Sequence, residues 1–127
     1  MDKKKKSPLT PVVINERSQV TTQGYSEEEF AKLDYEFFKN FTSKHTIKSY
    51  RNDIRQFFNF LKEYFGNFSC FQDISRFHVV AFRNHLSDLE YAPKTINRKL
   101  SSVSSYMDFL VEKGLMNFNT SSSIKRP

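Results

Sequence analysis

The chain has 127 residues and a net charge of +6, which suits a single domain and favours a polyanionic partner such as DNA, RNA or anionic lipid. No apolar run approaches the roughly 20 residues of a membrane span, and no secretory signal follows the N-terminal lysines. The single cysteine, Cys70, excludes an internal disulfide and a cysteine-pair metal site, so we expect a cytoplasmic protein. We also predict no metal, other cofactor or small-molecule substrate.

Residues 1–24 are predicted to form a flexible basic arm. The segment contains a run of lysines, Lys3 to Lys6, two prolines and no helical period. Such a composition is typical of a solvated tail, and it can also attract nucleic acid without folding.

A first helix is predicted from Glu27 to about Phe41. Ser26, followed three residues later by Glu29, is the pattern of a capping box, in which each residue bonds the backbone of the other. The apolar side is rich in phenylalanine, and the acidic residues are expected to face solvent, away from any polyanion. The apolar residues are Phe30, Leu33, Phe37, Phe38 and Phe41, and the acidic residues are Glu27, Glu28, Asp34 and Glu36.

A second amphipathic helix is predicted over Thr46 to Phe65, with Thr42 or Ser43 as its cap and Gly66 as its end. Apolar residues recur at spacings of three and four, which predicts a wide buried stripe. They are Ile47, Tyr50, Ile54, Phe57, Phe58, Leu61, Tyr64 and Phe65. The opposite side is expected to carry Lys44, Lys48, Arg51, Arg55 and Lys62, with Asp53 as its one acid before Glu63.

A third helix, from Arg76 to about Glu90, is predicted to support the core. Asp73 and Ser75 are candidate caps, and the charges of the helix balance. Its expected apolar contacts are Phe77, Val80, Ala81, Leu86 and Leu89. His78 and His85 lie two helical turns apart, but no set of carboxylates or thiolates surrounds them, so we predict no metal site.

A fourth helix is predicted from Pro93 to about Lys113, with Gly114 as its end. No acidic residue occurs between Lys94 and Met107. Lys94 and Thr95 lie in the first turn, where free N–H groups favour a phosphate. The inward residues are expected to be Ile96, Leu100, Val103, Met107, Leu110 and Val111. The outward residues are expected to be Lys94, Asn97, Arg98, Ser101, Ser102 and Ser105.

The predicted fold class is therefore all-α, a compact four-helix domain over residues 25–119. Residues 120–127 are polar, and we expect them to form a linker that leaves the domain.

Two segments resemble the N-terminal core-binding, or SAM-like, domain of the tyrosine recombinases, which include phage integrases and Xer-type enzymes. The first is TIKSYRNDIRQFFNFL, residues 46–61, and the second is APKTINRKLSSVSSYMDFLVEKGLMNFN, residues 92–119. The acidic first helix and the FHVVAFRNHL stretch fall in the family's order, so the resemblance covers residues 26–127.

The resemblance implies a domain that forms one half of a clamp around double-stranded DNA, with its second and fourth helices near the major groove. We expect the basic sides of these two helices to merge into one concave surface that matches a duplex, with Arg51 and Arg98 on the same flank. It also implies a separate catalytic domain beyond residue 127 that supplies a tyrosine nucleophile, and other recombinase protomers as partners. This fragment itself would then hold no catalytic residue. The DNA-binding residues that we predict are Lys44, Thr46, Lys48, Arg51, Arg55, Lys94, Thr95, Asn97, Arg98, Ser101 and Ser105.

The chain departs from the family pattern in two places. Many relatives carry a basic residue where this chain has Ser104 and Ser105, and the Asn-Pro pair that follows the last helix in the family lacks its proline here, within Asn117 to Thr120.

The residues alone leave a second function open. A basic, serine-bearing helix face also fits a solvated surface, and the Phe-rich first helix would suit a helical protein-interaction module with no role in DNA binding. A membrane role is disfavoured because the apolar stripes are needed for the core.

Overall fold

The computed structural model describes residues 26–66 and 70–127, and within them the chain is all-α. The helices are α1 (Glu27–Phe38), α2 (Lys44–Phe65), α3 (Arg76–Asp88) and α4 (Pro93–Glu112), with a short 3₁₀ turn over Phe71–Asp73. The predicted four-helix fold class is confirmed. The predicted arm, residues 1–24, lies outside the described residues.

The helix ends follow local capping chemistry. At α1, the Ser26 N–H donates to Glu29 Oε1 at 2.8 Å, and the Glu29 N–H donates to Ser26 Oγ at 3.1 Å, so the predicted capping box is present. At α2, the Thr46 N–H donates to Ser43 Oγ at 3.2 Å, which identifies Ser43 as the cap. Gly114 closes α4 with a φ of 77°, a left-handed conformation that glycine adopts without strain.

The core forms where α2 packs against α4, and α3 packs against both of these helices. The apolar side of α1 packs against this core. Aromatic rings join α1 to this core, because Phe37 contacts the rings of Tyr106 and Phe109 at centroid distances of 5.1 and 5.4 Å. α1 ends at Phe38, three residues earlier than predicted. Phe41 therefore lies beyond the helix, yet its ring contacts the Tyr50 ring at a centroid distance of 5.6 Å. The Phe-rich side of α1 is therefore part of the core.

Several predicted inward residues of α2 and α3 are in fact exposed. Tyr64 and Phe77 retain 55% and 65% of their accessible surface, while Phe60, Val79 and Phe82 are buried in their place. The buried positions of α3 are 79, 82 and 86, spaced by three and four. The apolar stripe of α3 therefore lies on a different side of the helix from Phe77. None of the helices in residues 26–66 and 70–127 is long and apolar enough to cross a membrane.

We had expected residues 120–127 to leave the domain as a linker. Instead, this segment packs against the domain. Ile124 is 7% exposed and Ser121 3%. Asn119 fastens the segment to α4, because its Nδ2 donates to the Ser104 carbonyl at 2.9 Å and its Oδ1 accepts from the Ser121 N–H at 2.8 Å. Two side chains of this largely polar segment, Ser121 and Ile124, are therefore buried against the domain.

Candidate nucleic-acid interface

The outer surface of α2 presents no carboxylate over its first five turns. Asp53 is the one acidic residue between Lys44 and Lys62, and it is 0% exposed. Lys44 and Lys48 are exposed, and Thr46 is half-buried. We had expected Asp53 on this outer face, and its burial is a correction that makes the surface more positive than predicted.

Arg51 and Arg55 are turned toward α1. The Arg51 guanidinium lies over the Phe38 ring, 4.8 Å from its centroid, and Arg55 Nη2 is 3.9 Å from Asp34 Oδ2. Burial raises the pKa of the Asp34 carboxyl, and the nearby charges of Arg55 and Arg51 partly oppose that rise. Both arginines therefore have a local role that the sequence did not indicate.

The N-terminal half of α4 carries the second part of the surface. Pro93 occupies the first helical turn, and Lys94 is exposed immediately after it, with Thr95 half-buried. Four predicted residues recur along one side of the helix at spacings of three and four: Lys94, Arg98, Ser101 and Ser105. The acid-free stretch ends at Asp108, so the positive part of this side is confined to the first three to four turns.

A buried carboxylate joins the two helices. Asp53 Oδ1 accepts hydrogen bonds from Arg98 Nη2 at 2.9 Å and from Lys99 Nζ at 3.1 Å, while Oδ2 accepts from Ser102 Oγ at 2.8 Å. Lys99 also lies 5.0 Å from the centroid of the Tyr91 ring. Ser102, which we had placed outside, is 0% exposed because it faces Asp53 across the helix contact.

The C-terminal segment adds a cation to the α4 face. Arg126 Nη1 donates to Ser101 Oγ at 2.9 Å and to the Asn97 carbonyl at 2.8 Å. The Asn97 side chain lies under the same segment, since its Nδ2 donates to the Pro127 carbonyl at 3.3 Å. Asn97 and Ser101 are therefore covered in part by Arg126 and Pro127, whereas Lys94 remains open.

The predicted residues do not all share one surface. Arg51 contacts α1, whereas Arg98 contacts Asp53, and positions 51 and 53 point about 200° apart around an α-helix. Arg51 and Arg98 thus lie on different flanks of α2, contrary to our expectation that they would meet on one concave face. Apart from Arg55, the predicted residues that are exposed are Lys44 and Lys48 on α2 and Lys94 and Arg98 on α4, whereas Ser105 is half-buried.

Four important residues were absent from our predicted set: Asp53, Lys99, Ser102 and Arg126. A periodic signal for Asp53 and Lys99 was present in the sequence. Asp53 stands three residues after Tyr50 and four before Phe57, and Lys99 stands three after Ile96 and four before Val103, so both occupy apolar-stripe positions. No comparable signal exists for Arg126, since its partners on α4 lie 25 and 29 residues away.

Metal ligands and buried tyrosines among the described residues do not form a second candidate site. No group of three or more His, Cys, Asp or Glu side chains that could hold a metal occurs within the described part of the chain. Burial raises the pKa of the Tyr106 hydroxyl well above its usual range, and the neighbouring Asp34 carboxylate raises it further. This tyrosine is therefore poorly suited to act as a nucleophile.

Residues 35–114 match the family model described as "Phage integrase, N-terminal SAM-like domain". Curated relatives include tyrosine recombinase XerC of Neisseria meningitidis, 36% identical over 89 residues, and tyrosine recombinase XerC of Chlorobaculum parvum, 35% identical over 96 residues. Each match covers 67% of this chain but only 28% and 26% of the respective relative, so the chain spans about a quarter of their length. No solved structure matches the chain significantly.

Proposed function

The chain belongs to the family of phage integrase N-terminal SAM-like domains, and on this premise we propose that it is the core-binding domain of a site-specific tyrosine recombinase, which grips duplex DNA through α2 and α4. A separate catalytic domain would perform strand exchange, and other protomers of the full-length protein would complete the assembly. The relatives named tyrosine recombinase support this role.

One observation carries the proposal: the outward surfaces of α2 from Lys44 to Lys62 and of α4 from Pro93 to Met107 present no carboxylate. A phosphate backbone repels exposed carboxylates and attracts lysine and arginine, so an acid-free basic surface on two adjacent helices fits duplex DNA. The acids of α1, by contrast, include the exposed Glu27 and Glu28, which would face away from the DNA.

The Phe-rich side of α1 argues against the alternative function, a protein-interaction module that docks through this helix. Phe37 and Phe38 contact each other at 4.8 Å, and Phe38 is 6% exposed. Among the large apolar residues of α1, only Tyr35 is strongly exposed, at 73%. A single exposed tyrosine is a small docking surface.

Lys48→Ala is expected to weaken binding to duplexes of every sequence and to make the slope of log affinity against log salt shallower by about one unit, because one phosphate contact is lost. Fluorescence anisotropy with a labelled mixed-sequence duplex, over a series of salt concentrations, measures both effects. Lys32→Ala is the matched control, since it removes the same charge from an exposed position on α1, outside the proposed DNA-binding surface, and it should leave the slope unchanged. A wild-type affinity that does not change with salt would overturn the proposed function.

The isolated chain is expected not to cleave DNA. A supercoiled plasmid incubated with the chain should stay supercoiled on an agarose gel, and no covalent complex between protein and DNA should survive denaturation with detergent. A relaxed plasmid together with a covalent complex would show that a tyrosine of this chain acts as a nucleophile, and would remove the need for a separate catalytic domain.

A further inference from the structure

Asp53 has more charged partners than it can neutralise. Its single negative charge accepts hydrogen bonds from two cations, Arg98 and Lys99, through the same oxygen. Lys99 has a side chain that is only 8% exposed, whereas the Arg98 side chain is 48% exposed. The cluster therefore holds one fixed, buried ion pair and one additional cation whose outer half faces solvent.

This arrangement suits an arginine that must be held still and yet remain free to bind. An arginine side chain loses rotamer entropy when it is fixed, and a site that fixes it before the ligand arrives avoids that loss on binding. Asp53 holds the guanidinium by Nη2, and the hydrogen bond joins two side chains 45 residues apart in the sequence. The other guanidinium nitrogens remain for a second partner.

We propose that Asp53 is a positioning residue for DNA recognition, which orients Arg98 so that the second N–H of Nη2, together with a neighbouring guanidinium N–H, reads the paired acceptors of a guanine edge in the major groove. The proposal rests on the function proposed above. Arg98 provides the fork geometry that this contact requires, and Asp53 fixes the direction of the fork from the buried side. Lys99 keeps Asp53 neutralised whether or not Arg98 tightens onto DNA.

The position of the cluster supports this role. Arg98 lies one turn after Lys94 and Thr95, in the acid-free half of α4. The single hydroxyl proton of Ser102, the third partner of Asp53, is shared between Asp53 Oδ2 at 2.8 Å and the Arg98 carbonyl at 3.1 Å. Asp53 therefore contacts both the side chain of the reading residue and the serine that faces its backbone.

The test compares Asp53→Leu/Lys99→Met with the wild type, because this double variant keeps the net charge, leaves no buried cation without an anion, and removes the oxygen that accepts from Arg98. A duplex pool with a randomised centre is first selected on the wild-type chain to obtain a preferred sequence. Affinities are then measured for that duplex and for a scrambled duplex of the same composition. We expect the ratio of the two affinities to fall about fivefold or more in the double variant, with the affinity for the scrambled duplex unchanged within about twofold.

Two further variants separate positioning from a structural defect. Lys99→Met alone leaves the Asp53–Arg98 pair in place and should retain the wild-type ratio. Arg98→Ala should lower the ratio by itself, and adding the double variant to Arg98→Ala should lower it no further, because Asp53 then has nothing to orient. Far-UV circular dichroism checks that every variant is folded.

The possible results are distinguishable. A wild-type ratio in Asp53→Leu/Lys99→Met, or a further fall in the ratio in the Arg98→Ala background, would overturn the positioning role and leave the proposed DNA-binding function intact. A wild-type chain that binds all duplexes equally would overturn it too. A wild-type chain that binds no duplex would instead refute the proposed function itself.

Discussion

Asp53→Ala is expected to lower the free energy of unfolding by about 3–5 kcal/mol, the range found when one partner of a buried ion pair is removed. The carboxylate is fully buried and accepts three hydrogen bonds from α4. Without it, the ammonium of Lys99 stays inside the domain with only the Tyr91 ring nearby. Urea denaturation followed by circular dichroism near neutral pH measures the change.

The matched control is Asp88→Ala, which removes the same carboxylate from an exposed position at the end of α3. It should change the free energy of unfolding by no more than about 0.5 kcal/mol. Asp53→Leu/Lys99→Met should recover most of the loss, since replacing both buried charges by apolar groups is often neutral or stabilising. A loss below about 1 kcal/mol in Asp53→Ala would show that solvent reaches Lys99 more readily than its burial indicates.

The same cluster explains where sequence analysis succeeded and where it failed. Helical spacing predicted all four helices, and a capping pattern placed the start of α1, because both signals depend on residues three and four apart. Asp53 was wrongly predicted on the outer face, and Lys99 was not singled out, because charged residues are almost always exposed unless they are paired. Their pairing spans 46 residues, and no local pattern reports a contact of that range.

The sequence predicted which residues form the candidate interface better than it predicted how they are arranged. The sequence shows which helices are basic, and it shows that the acid-free part of α4 ends at Asp108. It does not show that α1 covers one flank of α2, where Arg51 rests on Phe38. Nor does it show that Arg126 returns to Ser101, because the direction of a chain after a helix depends on tertiary packing. Both features depend on contacts between residues that are far apart in the sequence.

Phe57→Ala is expected to lower the free energy of unfolding by about 3–5 kcal/mol, through lost apolar burial and the cavity left behind. Phe57 is 1% exposed and contacts the rings of Phe58 and Phe82 at 5.4 and 5.1 Å. It therefore joins α2 to α3 one turn after Asp53, so its loss also loosens the packing that supports the proposed DNA-binding side of α2.

Phe77→Ala is the matched control for Phe57→Ala, because it makes the same chemical change at a side chain that is 65% exposed. Urea denaturation of both variants should give a difference of at least about 2 kcal/mol between them. Phe77 contacts the Phe65 ring at 5.8 Å, so a small loss is expected there too. Equal losses in the two variants would mean that the apolar stripe of α3 runs through Phe77, as the sequence first indicated, and that α3 is rotated relative to the packing described above.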